Sequence, residues 1–229
     1  TPPLGSSALL NQTENNRVLI LGNSFVASSQ IGQMLDLMVR KAGLNTTVYP
    51  ESRGYYSVSL YTQDTELMGR IGSGDYDVVF LCGFYSYDDV TAFSAFSKAC
   101  ENGGATVVIT PAHNEPHYYV EAAGQRREAA LADWKGLINS LISSGYPESY
   151  FCINDTYKHT NVIGGYAGAC MLYTVLFNKK PPSVYEEVSG QFYELGQLGL
   201  GQSEMKALFG QIEKAAYNYI AAADVCYEV

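Results

Sequence analysis

Five short apolar runs without the in-out alternation of a half-wet strand constrain this chain most. They fall at residues 17–22, 46–49, 78–82, 106–110 and 150–153, and 46–49 is the weakest. A strand covered on both faces has no polar face to show, so such runs predict a parallel sheet buried between layers. Between them, apolar residues return at helical spacing. Ile31, Met34, Leu35, Met38, Val39 and Ala42 form one face, closed by Gly43. Leu131, Trp134, Leu137, Ile138, Leu141 and Ile142 form another, closed by Gly145. This alternation predicts an α/β fold: a three-layer α/β/α sandwich on a parallel five-stranded sheet.

The 229 residues suit one hydrophobic core. Residues 1–16 are polar and rich in Ser, Pro and Asn, and read as a flexible linker or a tail left by a removed export signal. The expectation is therefore a secreted or cell-surface protein whose single domain spans 17–229. From about 181, after the Pro181-Pro182 pair, the pattern changes. Ser203 then opens an amphipathic helix through Met205, Leu208, Phe209, Ile212, Tyr219 and Ile220, expected to fold back on the sandwich.

Charge narrows the partners. Acidic residues number 23 against 14 basic, a net charge of −9, which argues against a nucleic-acid partner, since that needs clustered Lys and Arg. No apolar run approaches the roughly 18 residues of a membrane span. Cys82, Cys100, Cys152, Cys170 and Cys226 are scattered without a Cys-x-x-Cys pair, so they read as small core residues rather than as zinc or redox ligands. With 19 tyrosines and only 16% charged residues, the polar surface is largely hydroxyl and amide, which suits neutral ligands such as sugars.

In an open parallel sheet, ligands bind beyond the carboxyl ends of the strands. The first run ends in Gly22-Asn23-Ser24-Phe25. A serine on that turn can project its hydroxyl while its own N–H helps hold an oxyanion; an ordinary helix cap is the competing reading. The block is neither a phosphate loop nor a Gly-x-Ser-x-Gly elbow. The last run is followed by Asp155 and His159, close enough for the carboxylate to hold the imidazole. His113, Glu115 and His117 follow the fourth run and could be weighed as metal ligands, although a loop or a substrate contact accounts for them more simply. Tyrosines in Gly54-Tyr55-Tyr56 and in Phe84-Tyr85-Ser86-Tyr87 lie at the same edge, suited to stacking on sugar rings or to covering the core rim.

Together these blocks resemble the SGNH (GDSL-type) hydrolases, serine esterases on a flavodoxin-like sandwich. The resemblance rests on Val18-Leu19-Ile20-Leu21-Gly22-Asn23-Ser24-Phe25 and on Asp155 and His159 followed by Gly-Gly-Tyr-Ala-Gly-Ala, and covers roughly residues 17–180. It implies Ser24 as nucleophile, His159 as base, Asp155 as its partner, and Gly54 as an oxyanion glycine beside Asn23. It implies no cofactor and no metal, with a small-molecule or carbohydrate ester as substrate. Two departures stand out. Tyr85 falls where the family has an oxyanion asparagine, leaving Tyr85, Ser86 or Asn114, with His113 nearby, as substitute contacts. The Asp–His spacing is four rather than three. A catalytically weak or inactive carbohydrate-binding protein on the same fold is the alternative.

Overall fold

The computed structural model describes residues 8–125, 130–189 and 198–223. Its sheet has five parallel strands: β1 (Asn16–Leu21), β2 (Thr46–Pro50), β3 (Val78–Leu81), β4 (Thr106–Ile109) and β5 (Ala130–Leu131). They lie in the order β2-β1-β3-β4-β5, the doubly wound arrangement of flavodoxin-like sheets. Register follows from the apolar runs: Val18 pairs with Val48 on one side and Val78 on the other, and Phe80 pairs with Val108.

Because successive side chains point to opposite faces, each strand feeds two cores. Val18, Ile20, Val78, Phe80 and Val108 pack into one; Leu19, Leu21, Val79, Leu81 and Ile109 pack into the other. Fully burying each such side chain contributes about 1.5–3 kcal/mol, which is why these runs lack alternation.

Helices α1 (Ser24–Ser28) and α2 (Ile31–Lys41) join β1 to β2, and α3 (Val58–Gln63) and α4 (Thr65–Gly72) join β2 to β3. α5 (Tyr87–Gly103) leads to β4, and α6 (Tyr118–Gln125) precedes β5. The chain ends in α7 (Trp134–Ser143), α8 (Val162–Phe177), α9 (Tyr185–Val188) and α10 (Gln202–Ala223). Buried residues of α2, α7, α8 and α10 share the first core; those of α3, α4, α5 and α6 share the second.

Every residue of α8 is buried, because α10 covers it from outside. Phe209 stacks on Tyr166 at 4.2 Å, and the Tyr166 hydroxyl donates to Glu213 at 2.7 Å. The helix after Pro182 thus returns to the sandwich. Residues 8–16 are also more tied down than a tail: Leu10 is buried and its N–H donates to the Leu176 carbonyl at 3.0 Å. Cys226 lies outside the described residues, and the other four cysteines are buried free thiols.

The fifth strand is a correction. The run at 150–153 does not join the sheet; it forms a 3₁₀ turn (Glu148–Tyr150) and an isolated antiparallel bridge from Cys152 to Thr160. Its apolar character comes from Phe151 and Cys152, which plug the core beneath that turn. Ala130–Leu131 takes the edge instead, paired with Val108 and Ile109.

Candidate active site

Ser24 opens α1 directly beyond β1. Asn23 caps that helix, its side-chain Oδ1 accepting from the Phe25 N–H at 2.9 Å. The cap reading and the projecting-serine reading therefore hold together: Asn23 is the cap, and Ser24 is left to present its hydroxyl. That hydroxyl lies 2.9 Å from His159 Nε2. On the other side of the ring, His159 Nδ1 bonds to Asp155 Oδ2, and Asp155 Oδ1 accepts the His159 backbone N–H at 3.0 Å. The imidazole stacks on Phe25 at 4.7 Å and meets the edge of Tyr157 at 5.9 Å. Although desolvation acts to raise it, the hydrogen bonds from His159 hold the Asp155 carboxyl below its ordinary value. It stays ionised and fixes the tautomer with Nδ1–H toward Asp155 and the Nε2 lone pair toward Ser24.

The four-residue Asp–His spacing is closed by a turn. Lys158 takes a left-handed backbone with φ 53°, and its N–H donates to the Asp155 carbonyl at 3.3 Å. That turn absorbs the extra residue and returns His159 over Asp155. Below it, α8 approaches α1 so closely that a Cβ on Gly165 would sit 1.8 Å from the Ser29 carbonyl oxygen. The glycines after His159 therefore set the depth at which the His159 loop meets the helix of Ser24.

The contacts proposed around this trio divide. Gly54 is exposed, its N–H bonded to nothing among the described residues, with open space where a side chain would be. Its loop is anchored by Arg53, whose N–H donates to the Gly22 carbonyl at 2.8 Å. Tyr85 reaches Asn23, whose Nδ2 donates to the phenolic oxygen. Ser86, Asn114 and His113 are turned elsewhere. Ser86 Oγ and N–H both donate to Asp89 at 3.1 Å, because Ser86 begins α5. Asn114 Nδ2 donates to the Tyr157 carbonyl at 2.9 Å, and His113 Nε2 lies 3.3 Å from Glu148, which also pairs with Lys158. These last two brace the His159 loop rather than face its serine.

Glu115, weighed as a metal ligand, is wholly buried. Its Oε1 accepts the N–H groups of Gly83 at 3.1 Å and Phe84 at 2.5 Å; its Oε2 accepts the Cys82 thiol and the Ala112 N–H, each at 3.0 Å. Both oxygens are committed, so the alternating His113, Glu115 and His117 do not form a ligand set; among the described residues no such cluster occurs. Asp89 holds the next stretch of the loop, accepting from the N–H groups of Tyr85 at 2.9 Å and Ser86 at 3.1 Å. Neither clamp was assigned such a role from sequence; the signal for Asp89 is its place three residues into a helix opened by Ser86. Among the described residues no helix is long and apolar enough to cross a membrane.

No family model and no curated protein matches the sequence. Solved structures match its fold. A catalytic mutant of the acetylxylan esterase Axe2 from Geobacillus stearothermophilus superposes with a TM-score of 0.58 and 10% identity, covering 73% of this chain and 96% of that one. The Bacillus subtilis protein YXIM gives a TM-score of 0.56 and 17% identity over 72% of this chain; the match spans only 56% of that longer protein. TesA gives 0.51 and 12% identity, covering 70% and 98%. At these identities the likeness is one of fold: a five-stranded parallel sheet with helices on both sides.

Proposed function

We propose that this chain is a serine hydrolase of the SGNH kind that cleaves acyl esters, acetyl esters among them, on a neutral hydroxyl-rich compound such as a carbohydrate. The observation that carries this reading is the 2.9 Å contact between Ser24 Oγ and His159 Nε2, with Asp155 behind the ring. Ser24 Oγ attacks the ester carbonyl while its proton passes to His159 Nε2. Asp155 stabilises the imidazolium that forms. The carbonyl π pair moves onto oxygen, where the backbone N–H groups of Ser24 and Gly54 receive it. His159 then protonates the departing alcohol, and a water repeats the sequence to free the acid.

The substrate class is supported by chemistry at the rim. Tyr55 and Tyr157, in loops, and Tyr87, at the start of α5, are 97%, 65% and 64% exposed at the carboxyl edge, flat faces suited to sugar rings. The acetylxylan esterase among the fold neighbours agrees with it. The test is p-nitrophenyl acetate turnover and fluorophosphonate labelling by the wild type and Ser24→Ala. The wild type should turn over and label, and the variant should do neither; equal rates for the two would sink the assignment.

A further inference from the structure

The oxyanion site proposed above draws on two backbone N–H groups, those of Ser24 and Gly54. The loop after β3 reaches the residue before Ser24 through Tyr85, yet it has no main-chain donor to offer. Its four successive N–H groups, from Gly83 to Ser86, all end on Glu115 or Asp89. The Ser86 hydroxyl ends on Asp89 as well. What the loop presents instead is the phenol of Tyr85.

The direction of the bond between Asn23 and Tyr85 decides what that phenol can do. Asn23 Oδ1 is committed to the Phe25 N–H, so its amide nitrogen must face Tyr85 and must donate. The phenolic oxygen is thus an acceptor in this pair, and its own hydrogen has no acceptor among the described residues. It lies against the side chain of the residue that immediately precedes Ser24, and Tyr85 as a whole is 36% exposed. Burial, with the nearby Cys82, Glu115 and Asp89, pushes the phenol well above its ordinary value, so it remains protonated and a donor throughout the working range.

We propose that Tyr85 is a catalytic residue, donating its phenolic hydrogen to the oxygen that gains charge when Ser24 attacks, and that Asn23 orients it for that task. The inference rests on the esterase reading of the same site. As the Ser24 Oγ–carbon bond forms, the carbonyl π pair moves to oxygen and the serine proton goes to His159; Tyr85 keeps its proton and contributes a hydrogen bond only. An amide donated to the phenolic oxygen polarises the O–H and strengthens that bond.

Tyr85→Phe keeps the ring and its packing and removes the donor. With p-nitrophenyl acetate, kcat should fall about 10²–10³-fold and KM should stay within about twofold, the pattern of an interaction made only in the transition state. A merely structural role would move KM or the thermal unfolding midpoint with kcat. Asn23→Ser keeps a good helix cap but cannot reach Tyr85, and should lower kcat by about tenfold, one hydrogen bond's worth. If the wild type labels and turns over while Tyr85→Phe keeps wild-type kcat, Tyr85 is not a donor and the Ser24 assignment is untouched. If Tyr85→Phe does not fold, an unchanged kcat in Asn23→Ser overturns the proposal. If the wild type neither labels nor turns over, the esterase reading fails first and takes this one with it.

Discussion

The loop 83–86 gives each of its N–H groups to a carboxylate that water hardly touches: Asp89 is 1% exposed and Glu115 fully buried. The loop 155–159, whose His159 meets Ser24 at 2.9 Å, is held by partners that stand in solvent. Its braces are Asn114 on the Tyr157 carbonyl and Glu148 on Lys158, and the Asp155 side chain is 33% exposed. One loop is therefore built into the fold, and the other is laid upon it. The buried clamps carry stability, because a donor stranded in the core costs about 1–3 kcal/mol. The exposed loop carries the proposed proton relay, which depends on geometry more than on anchoring.

The contrast is sharpest where the two losses differ in kind. Asp155→Asn should leave the unfolding midpoint near the wild type and lower kcat by about 10⁴-fold, since the amide cannot hold the required tautomer; assays of both on one preparation check it. Glu115→Ala should do the reverse. It strands the N–H groups of Gly83, Phe84 and Ala112, and denaturant unfolding should show a loss of about 3 kcal/mol or more. A Glu115→Ala protein as stable as wild type would erase the distinction between the loops.

A smaller effect separates the two clamps from each other. Burial holds the Glu115 carboxyl above its ordinary value. Its contribution is complete below the unfolded value and is lost as pH rises through the folded one. Asp89 runs the other way: burial works to raise it, but the N–H groups of Ser59 and Tyr85 bring it below its ordinary value. Its contribution is present above the unfolded value and is lost as pH falls through the folded one. Unfolding from about pH 3 to about pH 8 should show the wild-type advantage over Glu115→Gln shrinking as pH rises, and that over Asp89→Asn growing. Slopes of one sign would refute the assignment. Smallest of all is Glu148→Gln. Its partners are screened by water, so the midpoint should not move, while kcat falls a few-fold as the His159 loop loosens.

Much of this was legible in the sequence, and the misses share a cause. β1, β3 and β4 could be read because residues buried on both faces must be apolar throughout; β2, whose Thr47 and Tyr49 are exposed, was the weakest of the four runs that join the sheet. β5 could not: it is two residues long, and Leu131 stands three before Trp134, so it counts equally well on the face of α7. The proposed nucleophile Ser24 was readable because strand ends concentrate chemistry at one edge; Asp155 and His159 follow a run that does not join the sheet, and their signal was the short spacing between them. Ser86, Asn114 and His113 lie at that edge too, but position along the chain does not say which way a side chain turns. Glu115 was misjudged for a related reason: three of its four donors lie more than thirty residues away, on the far side of α5.

The two margins of the sheet have a bearing on how the molecule behaves in a crowded solution. An unpaired strand is a template on which another chain can add. Here β2 ends at Pro50, which has no N–H to give, and β5 offers only two residues. The proline that closes β2 and the two described residues of β5 give a second sheet little to pair with, so when this protein aggregates, the expected route is unfolding rather than edge-to-edge growth of the native form.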